Sequence, residues 1–309
     1  NHQGDVQHGK NIIRQLGAVV TEAGVRAAVK FQFRQLETFI HPEHQQDSTA
    51  KHIDRFKSTR LDLENYAVLV AEVRKHNMLT MCTPFDEESV SIIQEMDFDV
   101  IKVASCSMND RPLIDKVVSA NMPVVISTGG ALISDLDRVV QVFTSSEARL
   151  ALEHCVSIYP TPPDQLQLNQ IGNLRTRYPG IPIGWSTHED PDDYVTIQLA
   201  VAKGAQLFER HVGLETSEYS LNHYSSNPDQ IRNRFKAHAD GLSRCGAPHR
   251  SPAPQIEIDS LNSLKRGVYA ASKIATREQI KREHVFVAMP STSGGLVADD
   301  WQEGYVADR

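Results

Sequence analysis

Short apolar runs alternate along the chain with longer stretches in which apolar positions recur at helical spacing. The runs occupy residues 28–33, 79–83, 100–104, 124–127, 150–155, 183–188 and 207–211. Each is too short for a helix and is closed by a polar residue, Pro or Gly, which predicts a buried strand. Between them, residues 62–77 set Leu63, Ala67, Val70, Ala71 and Val73 on one side and predict a helix. Helices are also predicted over 87–96, 111–120, 134–144, 167–178, 194–203 and 229–245, with Ser134 as an N-cap.

Strands that alternate with helices imply a parallel sheet. Seven are visible, and an eighth is expected to precede Asn1, which gives a (β/α)8 TIM barrel. The rival is a doubly wound open sheet. It would carry a Gly-rich phosphate loop after its first strand, and this sequence has none there. Polar residues instead recur at the strand ends: Lys30 and Gln32, Thr83, Lys102 and Ser105, Ser127 and Thr128, Ser157, Ser186 and His188, and His211. A barrel gathers all of these on one face. The pattern breaks at 246–254, where three prolines and a glycine block regular structure. The expected organisation is therefore a barrel domain over 1–245, a linker over 246–260, and a small β-rich module over 261–309 that ends incomplete.

Composition narrows the partners. At 309 residues, 40% hydrophobic and 23% charged, the chain has the make-up of a soluble globular enzyme. A net charge of −7 with no basic run excludes nucleic acid as the main partner, and no apolar run suggests a membrane. A local basic pocket for an anion is compatible with that charge. Cys82, Cys106, Cys155 and Cys245 show neither CxxC spacing nor a disulfide framework. Three lie in or beside apolar runs, where thiols pack as small hydrophobes, so a reduced, cytoplasmic setting is expected.

The chemistry centres on two strands. Residues 183–188 end in His188 and 207–211 end in His211, with the helical stretch 194–203 and Gly204 between them. A strand–helix–strand unit points both strand ends the same way, so the two imidazoles can share one divalent ion. Such a site keeps positions open for water and substrate and suits Mn²⁺, Zn²⁺ or Co²⁺. The alternative is a hydrogen-bonded pair under a loop.

Lys30 and Lys102 each follow an apolar strand start, where an ammonium is costly unless an anion meets it. With the hydroxyls of Thr83, Ser105 and Ser186 they would bind a phosphate and a carboxylate. Alternatively, either lysine pairs with Asp99 or Glu209, or snorkels outward. A further reading makes Lys102 the Schiff-base lysine of an aldolase, which leaves the paired histidines unexplained. His154 reads as a satisfied core residue. Tyr159 either lines a pocket or packs beside Pro160.

Eight motifs then fall in one order: Asn1-His2-Gln3-Gly4, Val29-Lys30-Phe31-Gln32, Cys82-Thr83-Pro84-Phe85-Asp86, Ile101-Lys102-Val103-Ala104-Ser105, Ile126-Ser127-Thr128-Gly129, the run from His154 to Pro162, Gly184-Trp185-Ser186-Thr187-His188, and Phe208-Glu209-Arg210-His211. This order resembles the sialic acid (N-acetylneuraminate) synthase family, the phosphoenolpyruvate-dependent synthases of nonulosonic acids. The tail from Lys265 resembles the start of the family's antifreeze-like (SAF) domain. The resemblance implies a barrel joined to that domain in a domain-swapped homodimer, with the partner's small domain over each site. It makes His188 and His211 the metal ligands, usually for Mn²⁺, with Mg²⁺ or Co²⁺ as alternatives. Lys30, Thr83, Lys102, Ser105 and Ser186 match phosphoenolpyruvate contacts. Ser157 stands in the same pocket, where the family often has asparagine. Gln32 and Tyr159 match contacts to the sugar acceptor.

The departures cluster on the acceptor side. Gln3 replaces a glutamate, Ser107 stands where a sugar-binding glutamate is usual, and Asn222-His223 lies about where an aspartate would be. Met289-Pro290 replaces an Arg-Pro pair, and Thr187 replaces the aspartate of Ser-Asp-His. The expected activity is a metal-dependent condensation of phosphoenolpyruvate with an aldose, N-acetylmannosamine-like or a different sugar. His188, His211, Lys30 and Lys102 are the expected catalytic residues. Gln3, Gln32, Ser107, Tyr159 and Asn222 are the expected acceptor contacts. The alternatives are a lysine-dependent aldolase and a degenerate homologue that only binds a ligand.

Overall fold

A computed structural model describes residues 1–45 and 52–308. It opens on a helix that the apolar pattern does not announce. α1 (Val6–Ala23) is capped by the Asp5 side chain, which accepts from the His8 amide, and it stops at Gly24, φ +62°. Its buried side includes His8, Gly9 and Gly17 beside Ile12, Ile13 and Leu16, so the apolar stripe is interrupted. The glycines are there for close approach: a Cβ at Gly17 would lie 2.5 Å from the His76 ring, and one at Gly9 2.9 Å from Leu69.

The chain then runs through β1 (Ala28–Phe33), α2 (Leu36–Phe39), α3 (Ile53–Ser58), α4 (Leu63–Lys75), β2 (Leu79–Pro84), α5 (Glu87–Glu95), β3 (Val100–Val103), α6 (Arg111–Ser119), β4 (Val124–Ser127), α7 (Ile133–Ser145), β5 (Leu150–Cys155), α8 (Asn169–Arg177), β6 (Ile183–Thr187), α9 (Val195–Ala202), β7 (Leu207–Arg210) and α10 (Pro228–Cys245). Strands β1 to β7 lie in sequence order in one sheet, every neighbour parallel. The barrel expectation thus meets seven strands among the described residues, curled rather than flat. Lys30 on β1 and Glu209 on β7 are 2.9 Å apart, which only a curled sheet allows. The core lies between strands and helices and is built on Leu69, Val73, Ile93, Ile101, Leu113, Ile126, Leu152 and Ile183, all fully buried.

Two local expectations fail. The N-cap of α7 is Leu132, which makes no side-chain cap, because the turn from Thr128 to Ala131 delivers the chain early; Ser134 lies inside the first turn. Cys106 is exposed in a 3₁₀ turn after β3 rather than packed; all four cysteines are free thiols.

The chain divides into two units, Asn1–Gly246 and Ala247–Arg309. In the second, α11 (Gln255–Ser263) begins directly after Pro254, inside the stretch read as linker. β8 (Gly267–Ala270) pairs antiparallel with β9 (Val285–Ala288), and the rings of Tyr269 and Phe286 stack at 5.6 Å across them. Single bridges from Gly267 to Val297 and from Gln279 to Val306 extend this β structure. None of the described helices is long and apolar enough to cross a membrane.

Candidate active site

The floor of the site is ionic. Lys102 on β3 donates to the carboxylate of Glu153 on β5 and lies 3.1 Å from Glu209 Oε2 on β7. Lys30 Nζ donates to Glu209 Oε1 at 2.9 Å, and Ser186 Oγ donates to the same oxygen at 3.1 Å. Register brings them together: Ser186 faces Glu209 across β6 and β7, and Glu153 faces Gly184 across β5 and β6. Gly184 is needed there, since a Cβ would lie 2.6 Å from that of Leu207 and 3.0 Å from Glu153 Cγ.

Both lysines therefore pair with Glu209, as the alternative reading allowed. Asp99 is not their partner; it accepts from the Thr80 amide and hydroxyl, each at 2.8 Å. Neither lysine snorkels, but they differ: the Lys102 side chain is 1% exposed and that of Lys30 21%. An ammonium has three donors, so Lys30 keeps two and Lys102 one for a further anion.

Burial alone would lower the Lys102 pKa, but Glu153 and Glu209 outweigh it and raise the value, so the ammonium form is locked in. Burial would raise Glu209, yet Lys102 and Lys30 hold it well below the carboxylate range. Glu153 goes the other way, raised by burial and by the Glu209 charge against the pull of Lys102. The floor thus holds one firmly ionised carboxylate and one that takes a proton more readily.

Above the floor, His188 and His211 stand with ring centroids 5.4 Å apart. His188 Nδ1 lies 3.1 Å from the Val156 carbonyl, which places its proton on Nδ1 and leaves the Nε2 lone pair free. Burial depresses both imidazoles, and Lys30 and His188 help take His211 down to about 3. Two neutral rings side by side suit a divalent cation. Among the described residues no cluster of three or more His, Cys, Asp or Glu stands ready to enclose one. Such an ion would complete its shell from water or substrate.

Behind the rings, Arg210 and Arg234 both reach Glu189, at 3.0 and 2.8 Å. Both also donate to Thr187 Oγ1, at 3.2 and 3.1 Å. This buried network ties the end of β6 to the end of β7 and so fixes the spacing of the histidines that follow. Sequence reasoning picked out Thr187 but not its pairing with Arg210 and Arg234, which come from β7 and α10.

The hydroxyl candidates surround the floor. Thr83 Oγ1 is buried with no partner among the described residues, an orphan that a ligand oxygen would satisfy. Ser105 Oγ accepts from the Gly129 amide at 3.0 Å. A Cβ on Gly129 would meet Ser157 Oγ at 2.7 Å and Ser105 Oγ at 2.8 Å, so both serines converge over that glycine. His154 is a core residue, its Nε2 2.8 Å from the Leu166 carbonyl.

The rim is aromatic and polar. The Tyr159 ring lies 4.2 Å from that of His188. Tyr224 joins them, 5.2 Å from Tyr159 and 5.4 Å from His211. Nothing in the pattern marked Tyr224; only the loop after β7 brings it back over the rings. Asn222 Nδ2 donates to Asn1 Oδ1 at 3.4 Å, and Asn1 Nδ2 donates to the Val212 carbonyl at 2.6 Å, so the chain start borders the end of β7. Gln3 sits in the turn before α1 with φ +56°. Gln32 is exposed and accepts from Arg34 at 2.9 Å. Ser107 is buried in the turn after β3, its Oγ 3.8 Å from Cys106 Sγ. Met289 lies in the second unit.

Comparison with known proteins agrees with this geometry. The NeuB family profile matches residues 18–240. N-acetylneuraminate-9-phosphate synthase of Drosophila melanogaster is 32% identical over 241 residues, 75% of this chain and 63% of its own length. N,N'-diacetyllegionaminic acid synthase of Campylobacter jejuni is 25% identical over 323 residues, 98% of this chain and 91% of that protein. Among solved structures, a spore coat polysaccharide biosynthesis protein E from Chromobacterium violaceum is 39% identical, with a TM-score of 0.95 over 100% of this chain and 95% of its own. The sialic acid synthetase of Leptospira borgpetersenii, 25% identical, gives 0.74 over 85% of this chain and 89% of its own. With a profile match over well more than half its length, the chain belongs to the NeuB family.

Proposed function

We propose that this chain is a synthase that condenses phosphoenolpyruvate with an aldose to give a 2-keto-3-deoxy sugar acid and inorganic phosphate. The observation that carries the reading is the floor: two ammonium groups with donors to spare, an orphaned Thr83 hydroxyl and the Ser105–Ser157 pair, all beneath two neutral imidazoles. That set fits a small molecule bearing a phosphate and a carboxylate.

Lys30, the more accessible ammonium, takes the substrate anion together with the remaining donor of Lys102, which also keeps Glu209 in place. Thr83, Ser105, Ser157 and Ser186 orient phosphate and carboxylate. Gln32, Tyr159, Asn222, Gln3 and Ser107 form the acceptor side, where N-acetylmannosamine or a different sugar would sit. A divalent cation on His188 and His211, Mn²⁺ first and Mg²⁺ or Co²⁺ as alternatives, would supply Lewis-acid polarisation of the acceptor aldehyde. Carbon 3 of phosphoenolpyruvate bonds to the aldehyde carbon, whose oxygen gains a proton. Water adds to carbon 2, and phosphate leaves as the 2-keto group forms. The second unit as an antifreeze-like domain, placed in a domain-swapped homodimer, is part of the same proposal, with sedimentation velocity as its check.

The lysine-aldolase alternative needs a free amine. The carboxylates around Lys102 hold it as an ammonium ion, which disfavours that route. The test is phosphate release from phosphoenolpyruvate and Mn²⁺ with a panel of free and substituted aldoses, followed by mass spectrometry. Expected are one phosphate per product and loss of turnover with chelator or with His188→Ala or His211→Ala. Phosphoenolpyruvate binding without release for any sugar would leave a ligand-binding homologue. Borohydride trapping of a lysine adduct would restore the aldolase.

A further inference from the structure

Beside the acceptor wall stands a cation that makes no ion pair among the described residues. Arg34 directly follows β1, and its guanidinium carbon lies 4.2 Å from the centre of the Phe56 ring and 3.8 Å from that of Phe85. The two rings cover the guanidinium faces, which leaves recognition to its edges. One edge N–H is spent on Gln32 Oε1 at 2.9 Å, and Nε is buried without a partner.

Two nearby carboxylates are committed elsewhere. Asp86 accepts from the Gln35 and Ser89 amides, each at 2.8 Å, and Glu37 pairs with Arg60. Among the described residues Arg34 makes no ion pair. Burial brings it down to about 10, so it is a cation at neutral pH.

Its position relates it to the site. Gln32, which it holds, is the cross-strand partner of Thr83, and Phe85 is two residues beyond that orphaned hydroxyl. The residues read as acceptor contacts, Gln3, Gln32, Ser107, Tyr159 and Asn222, carry no negative charge that would repel an anion. A planar guanidinium fixed between two rings offers in-plane donors that match a phosphate or a carboxylate. We propose that Arg34 is the receptor for an anionic substituent, phosphate or carboxylate, on the sugar acceptor. This rests on the synthase reading for the word acceptor, but binding can be measured without turnover.

The experiment is calorimetry on the full chain with three ligands that have no aldehyde: a hexitol, a hexitol phosphate and a hexonate, with and without phosphoenolpyruvate. Expected is binding about 10- to 100-fold tighter for a charged ligand than for the hexitol. The better of the two charged ligands names the source of the anion. Arg34→Gln should erase the preference while phosphoenolpyruvate binding stays unchanged. Equal binding of all three ligands, or a preference that survives in R34Q, overturns the proposal. Should R34Q not fold, Arg34→Lys decides: loss of the planar fork should cut the preference several-fold, and an unchanged preference overturns it. Phosphate release with a neutral aldose and no charge preference would sink the anion receptor and leave the synthase. Charge-selective binding with no phosphate release from any sugar would do the reverse.

Discussion

The floor and the rim of the pocket are built on opposite principles. The floor links Lys30, Glu209, Lys102 and Glu153 in one chain of ion pairs, carried on strands β1, β7, β3 and β5. The rim sets Tyr159, Tyr224, Gln32 and Asn222 on loops and strand tips, uncharged and partly exposed. Charges buried in a rigid sheet are costly to disturb, because removing one strands its partner. Loop residues can be exchanged with little penalty to the fold. The contrast fits the proposed reaction, in which phosphoenolpyruvate lies on the floor and the sugar at the rim.

That contrast can be broken experimentally, beginning with the floor. Lys102→Met leaves two buried carboxylates facing each other, and unfolding in urea should show a loss of about 3–5 kcal/mol. If Gln32→Ala at the rim cost as much, the contrast would be gone. A smaller effect follows from protons. The His211 pKa is lowered to about 3 from the ordinary 6.5, so the folded ring stays neutral where the unfolded ring is protonated. Its contribution is fully present above about pH 6.5 and is lost as pH falls towards about 3, at up to about 1.4 kcal/mol per pH unit. Thermal melts of metal-free protein should therefore fall over that window, and less steeply in His211→Asn.

Thr83→Val separates binding from stability. It should raise the KM for phosphoenolpyruvate about tenfold while stability holds or rises by about 1 kcal/mol, since an orphaned hydroxyl is removed. The mildest change is Tyr224→Leu. It should weaken acceptor binding by about 0.5–1.5 kcal/mol and leave the KM for phosphoenolpyruvate alone. A shift in both constants would make Tyr224 part of the floor after all.

Much of the floor was legible in the sequence for a physical reason. A lysine inside an apolar strand needs an anion beside it, and the topology of two adjacent parallel strands is enough to bring their closing histidines together above it. The pairing of both lysines with Glu209 was visible only as an alternative, because register between distant strands is not written locally. α1 was missed since Gly9, Gly17 and His8 interrupt its apolar stripe, each for contact with the rest of the barrel unit. Tyr224 and the Glu189–Arg210–Arg234 network were missed because they form only when loops and separate segments close. Ser134 misled because capping chemistry was present without the backbone turn to use it.

Gly184 shapes the floor through what it lacks. Its single hydrogen leaves the gap into which the Glu153 stem fits. Put a methyl group there and it meets the Leu207 Cβ and carbonyl oxygen at 2.6 and 2.7 Å and crowds Glu153 Cγ at 3.0 Å, so the strand that carries Glu209 and the Glu153 stem must both give, and the two anions around Lys102 shift with them. A residue that carries no chemistry of its own thus governs the ionisation of the pocket from the adjacent strand, and a search confined to reactive side chains would pass over it.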